Sequence, residues 1–139
     1  MDNKTSRPSG KLILRTLAMP ADTNPLGDIF GGWIMSQMDI AGGIMAREHT
    51  CSRVVTVAVD SITFIKPVGV GDVVCCYGEL VKIGTTSITL TLEVWVRPAI
   101  SSKNDISVEK LVTKAGFTYV SVDENGKKQP IDKDCQTIP

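Results

Sequence analysis

Gly31-Gly32-Trp33-Ile34-Met35-Ser36-Gln37-Met38-Asp39-Ile40-Ala41-Gly42-Gly43-Ile44-Met45-Ala46-Arg47-Glu48 carries its apolar residues at helical spacing. At about 100° per residue, Ile34, Met38, Ala41 and Met45 fall on one narrow stripe, which predicts a helix over 31–48. Met35, Ile40 and Ile44 lie elsewhere around the circle. A helix apolar on most of its sides is a buried helix. Asp28, just before it, is a candidate cap, and Cys51-Ser52 begins the exit.

The flanks on both sides read as strands. Lys11 to Met19 is a first strand, and Pro20 to Phe30, with an Asn-Pro step and Gly27, is a loop. Beyond the helix, Val54 to Val68 is rich in β-branched residues and ends in a Pro-Val-Gly-Val-Gly turn. Asp72 to Ile83 follows and stops at Gly84. Thr86 to Val96 alternates, with Ile88, Leu90, Leu92, Val94 and Val96 on one face and Thr89, Thr91, Glu93 and Trp95 on the other. Pro98 to Asp105 is a polar connector, and Val108 to Val122 a last strand closed by Asp123-Glu124-Asn125-Gly126.

The expected domain covers 11–123, with a mobile, apolar-poor N-terminal tail over 1–10 and an irregular C-terminal tail over 124–139. One strand, one helix and four strands make an α+β chain whose antiparallel sheet wraps the helix. An open five-stranded sheet leaves edges exposed, so pairing with a second copy, at least a dimer, is expected.

Composition narrows the function. The 139 residues suit one domain, and 42% apolar with 22% charged residues is ordinary for a globular chain. Fifteen basic and fifteen acidic side chains cancel, so no global field favours nucleic acid or an anionic membrane. Leu12 to Met19, interrupted by Arg15, is too short for a leader or a span. Cys51, Cys75, Cys76 and Cys135 form no CxxC pair, and His49 is the one histidine, which argues against a zinc site. Reduced structural thiols and a cytoplasmic location are expected, with Cys75 and Cys76 on opposite faces of a strand.

Asp39 is the residue that most needs a reason. Aspartate is a poor helix former, and an ionised carboxylate among apolar neighbours is costly without partners. One reading has it face water on a half-exposed helix. The other sets it beside a cleft as a catalytic carboxylate. Gly31, Gly32, Gly42 and Gly43 let a backbone or a slender ligand approach closely, and equally permit tight helix packing. The N–H groups at Gly31-Gly32 lack intrahelical partners and lie at the positive end of the helix dipole, where they can stabilise an oxyanion. A carboxylate two turns on completes the parts for hydrolysing an acyl bond.

Asp22-Thr23-Asn24-Pro25-Leu26-Gly27-Asp28-Ile29-Phe30-Gly31-Gly32-Trp33, running into Met38-Asp39, resembles the acyl-CoA hydrolase branch of the hot-dog superfamily, close to the bacterial YciA-type thioesterases. Arg15 to Pro20, Val54 to Ser61, and Phe64-Ile65-Lys66-Pro67-Val68 with Gly71-Asp72 fit the same pattern. The resemblance implies a hot-dog fold whose dimer forms one continuous sheet, often assembled into trimers of dimers. It implies hydrolysis of acyl-CoA to free CoA and a carboxylic acid, with no cofactor and no metal. Asp39 would then act as general base or nucleophile, the Gly32 N–H would polarise the thioester carbonyl, and Asn24 would lie near the thioester. Val59, Asp60 and Ser61 would line the pantetheine path, although core packing explains Val59 equally well. The turn Gly84-Thr85-Thr86-Ser87 would meet CoA phosphate with Lys66 or Lys82, and it reads equally as an ordinary hairpin connection. Trp33, Met35, Met38 and Phe64 are candidates for shaping the acyl tunnel.

Two rivals remain. A hot-dog dehydratase needs a histidine base, and His49 falls after the helix, where a solvated position at a helix C-terminus suits it better. A non-catalytic acyl-CoA binding or sensing module would keep the fold without needing Asp39.

Overall fold

In a computed structural model, residues 7–99 and 109–135 are described. Most of the expected Pro98–Asp105 connector, the expected start of the last strand at Val108, and the outer parts of both tails, 1–6 and 136–139, lie outside them. The order is β1 (Lys11–Leu17), a 3-10 turn at Pro20–Asp22, α1 (Gly31–Thr50), β2 (Arg53–Phe64), β3 (Val73–Ile83), β4 (Ser87–Arg97) and β5 (Lys110–Val122). The strands form one antiparallel five-stranded sheet in the order β1-β3-β4-β5-β2, with α1 packed against it. This is the expected arrangement of a long helix held in a curved sheet.

The inward alternation of β4 puts Ile88, Leu90, Leu92, Val94 and Val96 into the core, where they meet Ile34, Met38, Ala41 and Met45 of α1. Burying each large side chain contributes about 1.5–3 kcal/mol, so this seam fixes which face of α1 turns inward. The outer face of β4 is covered locally as well. Glu93 is buried there, accepting from Trp95 Nε1 and Ser9 Oγ and paired with Lys114. Cys76 packs in the core while Cys75, also buried, faces the other way and accepts from Arg15 Nε, as strand alternation requires.

Three expectations need correction. Asp28 does not cap α1. Phe30 is the N-cap, with no side-chain bond, and Asp28 stands two residues before it, in the loop that Asn24 closes. Nor is α1 buried on most sides in the single chain: Ile40 and Ile44 are 51% and 41% exposed. The open side of β2 is similarly apolar, with Val55 and Val57 exposed. Finally, the four cysteines are not all free thiols. Cys51 ends the helix in a left-handed conformation, and the C-terminal segment returns alongside it through Gln129 N to Ser121 O and Ile131 N to Thr85 O. That path brings Cys135 to a Cα–Cα distance of 5.8 Å from Cys51, within disulfide reach, and the two are bonded. The segment has no strand of its own, yet Ile131 joins the core.

Candidate active site

Asp39 is half-buried on α1 and is not in open solvent. Thr56 of β2 and Tyr119 of β5 are direct cross-strand partners, so the sheet presents two hydroxyls side by side to the helix. Thr56 Oγ1 donates to Asp39 Oδ1 at 2.5 Å. Tyr119 Oη lies 3.1 Å from the same oxygen and 2.9 Å from the Asp39 carbonyl oxygen, sharing its proton between them. Burial, and then the charge of Asp39, push the Tyr119 phenol well above its ordinary pKa, so it stays a donor. Oδ2 has no hydrogen bond among the described residues. One carboxylate oxygen is therefore pinned and the other is left to accept a proton or attack a carbonyl.

The start of α1 supplies the complementary group. Trp33 and Ile34 N–H both bond back to Phe30 O, which leaves the Gly31 and Gly32 N–H groups directed out of the helix. Space beside Gly32 is open, whereas the Phe64 ring lies against Gly31. Gly32 and Asp39 are on nearly the same side of α1 but roughly 10 Å apart along its axis. Within one copy, the Gly32 N–H and the Asp39 carboxylate do not meet at a single carbonyl.

Asn24 lies by the helix start. Its Oδ1 accepts from the N–H groups of Leu26 and Asp28, closing the loop that Gly27 turns with φ +90°. This leaves the Asn24 amide NH2 as the end available to a ligand. A cleft of about 330 Å³ joins Asn24, Gly31, Phe64 and Lys66.

The expected CoA contacts divide between two ends of the sheet. Val59, Asp60 and Ser61 are exposed on the free side of β2, where a bulge between Asp60 and Thr63 holds Ser61 at φ +50°. They lie toward the Lys66 end. Lys82 and the Gly84–Ser87 turn lie at the opposite end, since Ser87 pairs with Val120 and Val120 with Val55 near the start of β2. The turn is closed by Gly84 N to Ser87 O, as an ordinary hairpin is, and its Thr85 and Thr86 carbonyls are taken by Ile131 N and Ser121 N. Gly84 and Thr85 border a cleft of about 570 Å³ with His49 and Lys133. Met38, a candidate tunnel residue, is wholly in the core. Among the described residues no cluster of histidine, cysteine and carboxylate side chains is placed to hold a metal, and no helix is long and apolar enough to cross a membrane.

Thr56 and Tyr119 were not singled out by the sequence reading. A signal existed for Tyr119. It falls on the inward alternation of β5 with Phe117, where a buried tyrosine needs a partner for its hydroxyl.

Residues 26–99 match the family model described as the thioesterase superfamily. The chain is 57% identical over 131 residues, 94% of its length and 95% of the relative's, to the acyl-CoA thioester hydrolase YciA of Salmonella typhimurium. Among solved structures, it is similar to a hexameric broad specificity acyl-coenzyme A thioesterase, with TM-score 0.85 and 55% identity over 92% of this chain and 85% of that one. It is also similar to a hexameric thioesterase of Yersinia pestis, with TM-score 0.82 and 56% identity over 91% and 99% of the two chains. An acyl-CoA hydrolase of Staphylococcus aureus, solved with butyryl coenzyme A, gives TM-score 0.74 and 27% identity over 85% and 69% of the chains. Alanine variants of that hydrolase were made at an asparagine and an aspartate fifteen positions apart, the separation of Asn24 and Asp39 here.

Proposed function

The chain belongs to the thioesterase superfamily and is an acyl-CoA thioester hydrolase, and we propose that Asp39 is the residue through which it cleaves its substrate. The observation that carries this reading is the carboxylate itself: half-buried, fixed through one oxygen by two hydroxyls, and open at the other. As general base, Oδ2 takes a proton from water as the water oxygen bonds to the thioester carbon. The C=O electron pair moves onto oxygen, the C–S bond then breaks, and the departing CoA thiolate takes up the proton. As nucleophile, Oδ2 itself bonds to that carbon, CoA leaves, and water hydrolyses the resulting anhydride. Either route needs an oxyanion donor, and the Gly32 N–H is the group that suits it.

The roughly 10 Å between Gly32 and Asp39 on one helix supports a site shared by two copies, with the donor from one facing the carboxylate of the other. The exposed apolar face of α1 and the open edge of β2 support the same pairing, in a dimer or trimer of dimers. Asn24 would then reach the thioester from the loop before the helix. Pantetheine would run past Val59, Asp60 and Ser61, with Lys66, Lys82 and the Gly84-Thr85-Thr86-Ser87 turn at the phosphates. The chemistry asks for no metal or cofactor, and a CoA substrate suits the cytoplasm.

Incubation with acetyl- to palmitoyl-CoA and a thiol reagent tests the reading. Wild type is expected to release CoA, and Asp39→Ala and Asp39→Asn to lose at least two to three orders of magnitude in kcat while still binding substrate. Tight binding without release by wild type would make it an acyl-CoA binding module instead.

A further inference from the structure

We propose that Tyr119 is a positioning residue for the reaction, holding the Asp39 carboxylate in its working orientation through a contact that the glycine at position 42 makes room for. The inference rests on Asp39 being the reacting carboxylate.

A buried tyrosine needs one acceptor for its hydroxyl, and the Asp39 carbonyl oxygen at 2.9 Å already provides it. The further contact to Oδ1 at 3.1 Å is not needed to satisfy the phenol. Its effect falls on the carboxylate. With Thr56 Oγ1 on the same oxygen, rotation about the Cβ–Cγ bond is fixed and Oδ2 alone is presented outward. Tyr119 is the rigid member of the pair. Its ring is buried on β5 beside Phe117, with ring centroids 6.3 Å apart, whereas the Thr56 hydroxyl turns on a short side chain of an edge strand. The phenol reaches the helix only because position 42 has no Cβ, since one there would collide with Tyr119 Oη. Among the described residues, Thr56 from β2 and Tyr119 from β5 are the side chains bonded to Asp39, and Tyr119 is the titratable one.

Tyr119→Phe keeps the ring and removes the donor. The expected result on acyl-CoA is a kcat lower by roughly tenfold to a hundredfold with KM within about twofold of wild type. A kcat within twofold of wild type, while Asp39→Ala is inactive, would reduce Tyr119 to packing and overturn the proposal. An Asp39→Ala enzyme as active as wild type would instead remove the reading beneath it. Should Tyr119→Phe fail to fold, 3-fluorotyrosine at that position makes the same test. Its stronger donor should change kcat with KM held within about twofold, and an unchanged kcat counts against the proposal.

Discussion

Tyr119 Oη fills the space that a side chain at position 42 would need, so Gly42 and Tyr119 are complementary across 77 positions of sequence. On an exposed helix, replacing glycine by alanine stabilises by about 1 kcal/mol. At position 42 the sign is reversed, because a methyl group would press on the phenol ring and on Leu92. Gly42→Ala is expected to cost about 1–3 kcal/mol by chemical denaturation and to lower kcat at least as much as Tyr119→Phe does. Gly43, with nothing within 4 Å of where a Cβ would lie, is the control. Alanine there should be neutral or stabilising, and a loss as large as at 42 would show that a second copy covers this helix face.

The Cys51–Cys135 bond ties the helix C-terminus to the end of the described chain across a sequence separation of 84. Cross-linking so long a loop restricts the unfolded chain and is worth about 2–4 kcal/mol. Reduction, or the Cys51→Ser/Cys135→Ser pair, should lower the thermal midpoint by several degrees, read by calorimetry with and without reductant. Thiol counting under denaturing conditions should give two groups before reduction, Cys75 and Cys76, and four after. Four before reduction would mean that the pair is open in the protein as isolated.

Much of this architecture was legible because it depends on local pattern. The alternation from Ile88 to Val96 fixed an inward face, and Asp39 stood out as the acid within an apolar helix. What escaped the sequence depends on distance or on assembly. The partner of Asp39 is 80 positions away, and only the β2–β5 register sets Tyr119 beside Thr56. Ile40 and Ile44 read as buried from the apolar pattern around the helix, while the single chain leaves them open. Asp28 has the right residue type for a helix cap, but the helix begins at Gly31 with Phe30 as its cap, and Asp28 belongs to the loop closed by the Asn24 side chain. The cysteine pair likewise depends on the path of residues 123–135, which no local spacing reveals.

Alkaline pH should weaken the fold. Burial, reinforced by Cys75, pushes the Cys76 thiol up to about 12. Burial, and then its bond to Glu109, pushes the Tyr77 phenol up to about 12. Both groups keep their protons when folded at pH values where the unfolded chain releases them. The stability they lend is therefore complete below about pH 9 and is lost as pH rises toward 12. Urea midpoints should be level from pH 7 to 8.5 and fall steadily from 9 to 11. Cys76→Ala, less stable at neutral pH, should show a shallower fall. A flat profile to pH 11 would contradict the assignment of these buried neutral groups.

The two candidate phosphate sites make a different demand on assembly. Lys66 shares a cleft with Asn24 and Gly31, while Lys82 and the Gly84–Ser87 turn lie at the other end of the sheet. Within one copy the two stand at opposite ends, whereas two copies joined antiparallel along the free edge of β2 would bring opposite ends together. If one CoA spans such a pair, Lys66→Ala and Lys82→Ala should each raise KM for acyl-CoA several-fold and leave kcat nearly unchanged. Neither should alter KM for the same acyl group on N-acetylcysteamine, which has the thioester but no phosphate. Exposed charge contacts are screened by salt, so wild-type KM for acyl-CoA should rise between low and physiological ionic strength, and less steeply in each variant. A KM effect confined to Lys66 would place the phosphates at the Asn24 cleft and leave the turn as a hairpin only. An effect confined to Lys82 would put the nucleotide at the turn, beside Lys133 and the segment that Cys51 and Cys135 tie down.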